Sequence, residues 1–180
     1  MAGYHGTFSC GITNLLAIQT YVSVDALLRH HLQAGLGLYK AFENNTVIET
    51  YGGYGLGTGG MLNTQEEYYH LGFTQFNIGK SNLDLGTATI SYGLGLKGSY
   101  VYNDYNNHNQ FYKNGVQRNH AWIVEPSVFF RFGFKKMKVV RFNLMVNYMW
   151  TDVTFTEDYL PLNIGFGVNF DLGKKKDHQQ

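Results

Sequence analysis

The chain has 180 residues, with 14 Lys plus Arg against 13 Asp plus Glu, so its formal charge of +1 sets up no global field for nucleic acid. Hydrophobic residues make up 44% and charged residues 15%, which excludes a disordered chain, and no stretch approaches the roughly 20 apolar residues of a spanning helix. The unusual numbers are 22 Gly beside only 2 Pro, and 16% aromatics; glycine and aromatics inside alternating segments characterise transmembrane β-barrels.

Taken in chain order, the segments alternate. A short first strand fits residues 4–11. Residues 16–26 place Leu16, Ile18, Val22 and Val24 opposite Gln19, Tyr21, Ser23 and Asp25. Residues 31–42 place Leu32, Ala34, Leu36 and Leu38 opposite Gln33, Gly35, Gly37 and Tyr39. Residues 47–59 collect Glu49, Tyr51, Gly53, Gly55 and Gly57 on one face. In residues 67–79 the phase changes near Thr74, from Tyr69, Leu71 and Phe73 to Phe76 and Ile78, which predicts a bulge. Residues 83–102 form the longest segment, expected to project beyond a membrane.

The last three segments are the cleanest. In residues 121–134 an apolar face from Trp122 to Phe134 opposes Glu125, Ser127, Phe129, Arg131 and Gly133. In residues 140–150, Val140, Phe142, Leu144, Val146, Tyr148 and Trp150 oppose Arg141, Asn143, Met145, Asn147 and Met149. In residues 160–172, Leu162, Ile164, Phe166, Val168, Phe170 and Leu172 oppose Asn163, Gly165, Gly167, Asn169 and Asp171. Such faces are longer than the roughly 5–6 residues of a globular strand and match the roughly 9–11 of a tilted spanning strand.

Connections alternate in length. Short turns are expected at Thr13-Asn14, Glu43-Asn44-Asn45, Lys80-Ser81-Asn82 and Lys135-Lys136, and longer loops near 25–30, 61–66, 103–120 and 151–159. The pattern predicts an all-β, antiparallel, up-and-down transmembrane β-barrel of a bacterial outer membrane. Residues 1–173 would form the barrel, and 174–180 a basic periplasmic tail whose Lys174, Lys175 and Lys176 are solvated or meet anionic groups at the inner leaflet. Nine strands are counted, whereas single-chain bacterial barrels have even numbers. A periplasmic C-terminus would also put Met1 outside the cell. The expectation is therefore an intact barrel of about ten strands, with a signal peptide and a first strand preceding Met1. Eight strands is the alternative if residues 4–11 do not span.

Several motifs carry a resemblance. Residues 11–19 (Gly-Ile-Thr-Asn-Leu-Leu-Ala-Ile-Gln) are similar to the Gly-x-Thr-Asp/Asn hairpin of small outer-membrane barrels of the Bacteroidota. Residues 39–45 (Tyr-Lys-Ala-Phe-Glu-Asn-Asn) and 49–55 (Glu-Thr-Tyr-Gly-Gly-Tyr-Gly) resemble the next hairpin of that group, and Ile123-Val124-Glu125-Pro126-Ser127 resembles one of its strand starts. The resemblance implies the barrel fold, an N-terminal lipoprotein signal and a further strand. It implies no established activity and no catalytic residues.

By parity Glu49, Lys97, Glu125, Arg131 and Arg141 point into the lumen, where charges must pair or stay wetted. The reading is an internal ion-pair network that plugs a narrow barrel, with Lys97 the preferred partner of Glu125; a lining for a solute path is the alternative. A hairpin centred near residues 136–137 would set Arg141 opposite Phe132 and Arg131 opposite Phe142. Glycines 35, 37, 53, 55, 57, 93, 95, 165 and 167 on the same face would make room for Tyr21, Tyr39 and Tyr51, or let the sheet bend. The single Cys10 excludes an intramolecular disulfide and a Cys-based zinc site, and the seven His show no diagnostic spacing, so no metal or cofactor is expected. The loop 103–120 offers Tyr105, Asn109, Tyr112, Lys113 and Arg118 as a candidate contact surface for a partner or glycan. The function expected is a non-enzymatic structural or accessory subunit, partnered by outer-membrane lipids and by other outer-membrane proteins or lipoproteins. A narrow-pore transporter and a rim-located hydrolase are the alternatives.

Overall fold

The computed structural model describes residues 3–13, 15–25, 30–59, 67–103, 111–113, 116–137, 140–152, 154–155 and 162–170. Every regular element among them is a β-strand. In chain order these are β1 (Gly3–Gly11), β2 (Leu16–Asp25), β3 (His30–Ala41), β4 (Thr46–Gly59), β5 (Glu67–Asp84), β6 (Ala88–Asn103), β7 (Phe111–Lys113), β8 (Val116–Arg118), β9 (His120–Phe134), β10 (Val140–Tyr148), β11 (Trp150–Thr151), β12 (Thr154–Phe155) and β13 (Leu162–Phe170).

Nine of them close a barrel, in the order β1, β2, β3, β4, β5, β6, β9, β10, β13 and back to β1. The short β11 adds to β9 outside that ring, and β12, β7 and β8 make a separate three-stranded sheet. The nine barrel strands coincide with the nine segments legible in the sequence, but they close the ring by themselves, where about ten strands or the alternative eight are expected, and the barrel is not antiparallel throughout. An odd number of alternating strands leaves the first and last pointing the same way, so β1 and β13 meet in parallel. That seam pairs only Phe8 with Val168, Ser9 with Asn169 and Cys10 with Phe170, whereas β10 and β13 pair along nine residues.

The short connections gather at one end, here called the turn end. Thr13 Oγ1 accepts from the Leu15 and Leu16 amides at 3.2 and 2.9 Å, and Asn45 takes the left-handed φ of 62° that a tight turn needs. At the opposite, loop end, residues 26–29, 60–66 and 104–110 lie outside the described set.

The structure corrects four further sequence expectations. The β5–β6 turn is at 85–87, around Gly86 with φ 83°, and not at Lys80-Ser81-Asn82, which stays in β5. The bulge is not at Thr74: the register slips between Lys80 and Leu83 instead. Through Thr74 the alternation runs unbroken, with Leu71, Phe73 and Asn77 buried and Thr74, Phe76 and Ile78 exposed. The phase reads as changed in the sequence because the inner face of β5 is apolar at Leu71 and Phe73, so apolar residues occupy both faces of that strand. The longest strand is therefore β5 with 18 residues, against 16 for β6. Finally, Phe142 pairs with Phe132 and Asn143 with Arg131, one residue off the expected register. Paired residues share a face, so inward Arg141 could not sit opposite outward Phe132.

The wall sorts its residues cleanly. Outward positions carry the large apolar side chains, with Leu36 67%, Leu94 60% and Phe166 68% exposed. The buried cluster is inside the ring, comprising Ala17, Tyr51, Leu71, Phe73, Val101 and Ala121. Inner glycines make room for the rings: a methyl at Gly37 would collide with Tyr51, one at Gly57 with Tyr69, and one at Gly93 with Phe129.

Candidate functional site

The inward parity of β4, β6, β9 and β10 brings all five expected charges into the lumen, in two layers. Nearer the turn end, Arg131 on β9 forks onto Glu49 on β4, with Nη1 to Oε1 at 2.7 Å and Nη2 to Oε2 at 2.9 Å. Two strands separate β4 from β9 in the sheet, so this pair ties the wall together across the lumen. Asn77 Nδ2 on β5 donates to Glu49 Oε2 at 2.9 Å, and the Arg131 guanidinium lies 4.5 Å from the centre of the Phe129 ring. Arg141, inward on β10, acts electrostatically on the same carboxylate. The bidentate fork and the amide donor engage both Glu49 oxygens, which is how a desolvated carboxylate is held.

Nearer mid-barrel, Lys97 and Glu125 stand directly opposite in the β6–β9 register and pair at 3.2 Å. Asn147 Nδ2 on β10 donates to Glu125 Oε1 at 3.0 Å. The Lys97 ammonium lies 5.4 Å from the ring centres of both Tyr21 and Phe73, so aromatic faces share the cation with the carboxylate. Further toward the loop end, His31 Nδ1 and the Tyr69 hydroxyl are 2.7 Å apart, and Gln33 bonds the other ring nitrogen of His31.

These layers divide the interior space. A cavity of about 240 Å³ opens around Glu49, Arg131, Arg141 and Tyr39 at the turn end. At the Lys97–Glu125 layer only about 30 Å³ remains, hemmed by Phe73, Gln33 and Met145, room for a water or two.

Sequence parity locates the charges but misses their neutral partners. Asn77 escapes it because the apparent phase change at Thr74 puts that residue on the wrong face. Asn147 is on the inward face, and its place beside Glu125 needs the register. Of the candidate contact loop, Tyr105 and Asn109 lie outside the described residues. Tyr112 and Lys113 belong to β7, and exposed Arg118 ends β8, so part of that loop is a small hairpin. Beside it, Asp152 Oδ1 accepts from the Trp122 amide at 2.9 Å. The basic tail, 174–180, is outside the described residues. Among the described residues no three His, Cys, Asp or Glu side chains converge as a metal site.

No family model, no curated protein and no solved structure matches the chain.

Proposed function

We propose that this chain is an outer-membrane β-barrel that spans the bilayer and works as a non-enzymatic structural or accessory subunit beside other outer-membrane proteins or lipoproteins. One observation carries the reading. The wall is inside out relative to a water-soluble barrel: its outer face is apolar around the ring, and its inner face holds ion pairs and amides. Outward Tyr54, Tyr100, Trp122, Tyr148 and Trp150 toward the loop end, with Phe42 and Phe134 at the turn end, fit interfacial girdles. The narrow mid-lumen favours a closed barrel over a conducting one. The hairpins that resemble small Bacteroidota barrels point to the same compartment.

The test has two arms. In native membranes the chain should fractionate with the outer membrane, migrate more slowly after boiling as folded barrels do, and run within a larger assembly on native gels. In planar bilayers the purified barrel should give no steady channels. Steady conductance would favour the transporter reading, and a chain that stays in the aqueous fraction would overturn the membrane reading altogether.

A further inference from the structure

The outer wall is recessed on β4, β5 and β6. The register sets Gly52 opposite Thr74 and Thr74 opposite Gly98, so three small residues share one outward row, closed at its ends by Leu36 on β3 and Val124 on β9. The next outward row toward the turn end carries Leu38, Phe76 and Leu96. The next row toward the loop end carries Tyr54 and Tyr100, with Gly72 between them. An open groove of about 650 Å³ lies between these two ridges.

Packing within the barrel does not require this emptiness. A methyl at Gly72 would meet nothing within 4 Å, and one at Gly52 or Gly98 would meet a single atom at 3.9 Å, whereas the inner glycines give way to rings. Glycine weakens a strand, so a row of it on an otherwise bulky face favours something that comes close to the backbone. The shape selects what that is. The ridges stand four residues apart along each strand, about 13 Å between centres. Their side chains narrow the gap below the roughly 10–12 Å of an α-helix, which leaves the width of one hydrocarbon chain. The loop-end ridge is polar as well as aromatic, and Gly72 breaks it. The Tyr54 hydroxyl and His70 Nδ1 are hydrogen-bonded beside that break, and the Tyr100 ring lies 4.9 Å from the Trp122 ring. An apolar trough that opens through a glycine gap onto hydroxyl and imidazole groups has the two-part chemistry of an amphiphile.

We propose that the groove holds one hydrocarbon chain of a membrane lipid from the loop-end leaflet. The chain lies along Gly52, Thr74 and Gly98 and passes out over Gly72, and its headgroup rests on Tyr54, His70 and Tyr100. Apolar contact alone gives no preference for this place, because every outward residue meets lipid. Close dispersion contact in a trough of matching width, with hydrogen bonds at one end, does give one. The inference rests on the membrane-spanning reading and adds a specific lipid site to it.

The chain carries its own reporters. Its two tryptophans flank the Val124 end of the groove: Trp122 is two residues along β9, and Trp150 is the direct partner of Val124. The experiment adds phosphatidylcholine with brominated acyl chains, which quench tryptophan on contact, to the folded full chain in detergent micelles. Folding of each variant is checked by its mobility before and after boiling. Quenching of wild type should saturate at a low mole fraction of lipid. Gly98→Leu, which fills the groove, should weaken that saturable phase about tenfold or more, as overpacking of a close contact does. Gly6→Leu adds the same side chain at an open outward glycine of β1, away from the groove, and should leave the phase unchanged. If Gly98→Leu fails to fold, Gly52→Leu should show the weakening instead. In vesicles made wholly of the brominated lipid, wild type and the groove variants should all be quenched. Quenching in micelles that only rises in proportion to added lipid overturns the groove and leaves the spanning reading standing. A folded groove variant that saturates like wild type, or equal weakening in Gly6→Leu, does the same. Tryptophans that stay unquenched in the vesicles overturn both.

Discussion

Glu49 and Arg131 are 82 positions apart, and their side chains are only 10% and 20% exposed. Removing one member strands the other in a poorly hydrated lumen, which typically costs about 3–5 kcal/mol, while replacing both by apolar residues of similar volume is often close to neutral. Glu49→Met alone should therefore lower the unfolding free energy by about 3–5 kcal/mol, and the Glu49→Met, Arg131→Met double variant should recover most of it. Urea unfolding in lipid vesicles, followed by tryptophan fluorescence, measures both. A double variant as unstable as the single would mean that the fork itself, and not the stranded charge, sets the cost. The two ion pairs differ in how far they can be read from sequence. Lys97 and Glu125 lie on strands adjacent in the ring, so inward parity and a strand order suffice to suggest them. Glu49 and Arg131 meet across the lumen, and only barrel closure says which inward residues face each other there.

Among the elements, the strands are legible because the outer face of each is predominantly apolar, which period two exposes directly. The breaks are less so. Lys80-Ser81-Asn82 has turn composition but is absorbed by the bulge in β5, and the turn falls on Asp84 to Thr87, where the Gly86 amide donates to Asp84 Oδ1 at 2.7 Å. The closure of the ring is not legible at all, since nothing local to β1 or β13 says that they pair in parallel. This seam is the shortest joint in the wall, and its residues should show it. Amides of β1 and β13 at the seam should exchange with deuterium faster than those of β5 and β6, whose ladder runs from Tyr69 to Asp84. The register makes a sharper prediction: Phe8→Cys with Val168→Cys, in a Cys10→Ser background, should form a disulfide on mild oxidation because the two residues are direct partners. Non-reducing gels of the folded protein would show the faster band. Failure to cross-link, with the barrel otherwise folded, would place β1 elsewhere on the ring.

For the whole molecule, the sorting of faces and the closing of the lumen make separate predictions. Leu144 is outward and Asn143 inward beside Arg131, on consecutive positions of β10. In lipid vesicles Leu144→Arg should cost about 2–4 kcal/mol, and Asn143→Asp, which sets a carboxylate opposite a guanidinium, should cost clearly less. Equal losses would turn the apolar face inward and the barrel into a soluble one. Two layers cross the lumen in series: the Glu49–Arg131 fork, and the Lys97–Glu125 layer with Phe73, where only about 30 Å³ is left between the side chains. For barriers in series, the narrowest one remaining sets the flow, so opening one layer leaves the path shut. Removing Lys97 and Glu125 together as serines leaves no stranded charge, yet the fork still spans the lumen, and bilayer recordings should stay at baseline. Removing Glu49 and Arg131 together should do the same, because the mid-barrel layer remains. Only the combined variant, with both pairs changed to serine and Phe73→Ser added, should give discrete current steps, provided that its boiling-dependent mobility shows a closed barrel. Current from either single-layer variant would mean that one layer alone seals the lumen. Current from wild type would mean that the side chains part readily at the ion pairs, and the barrel would then be a pore.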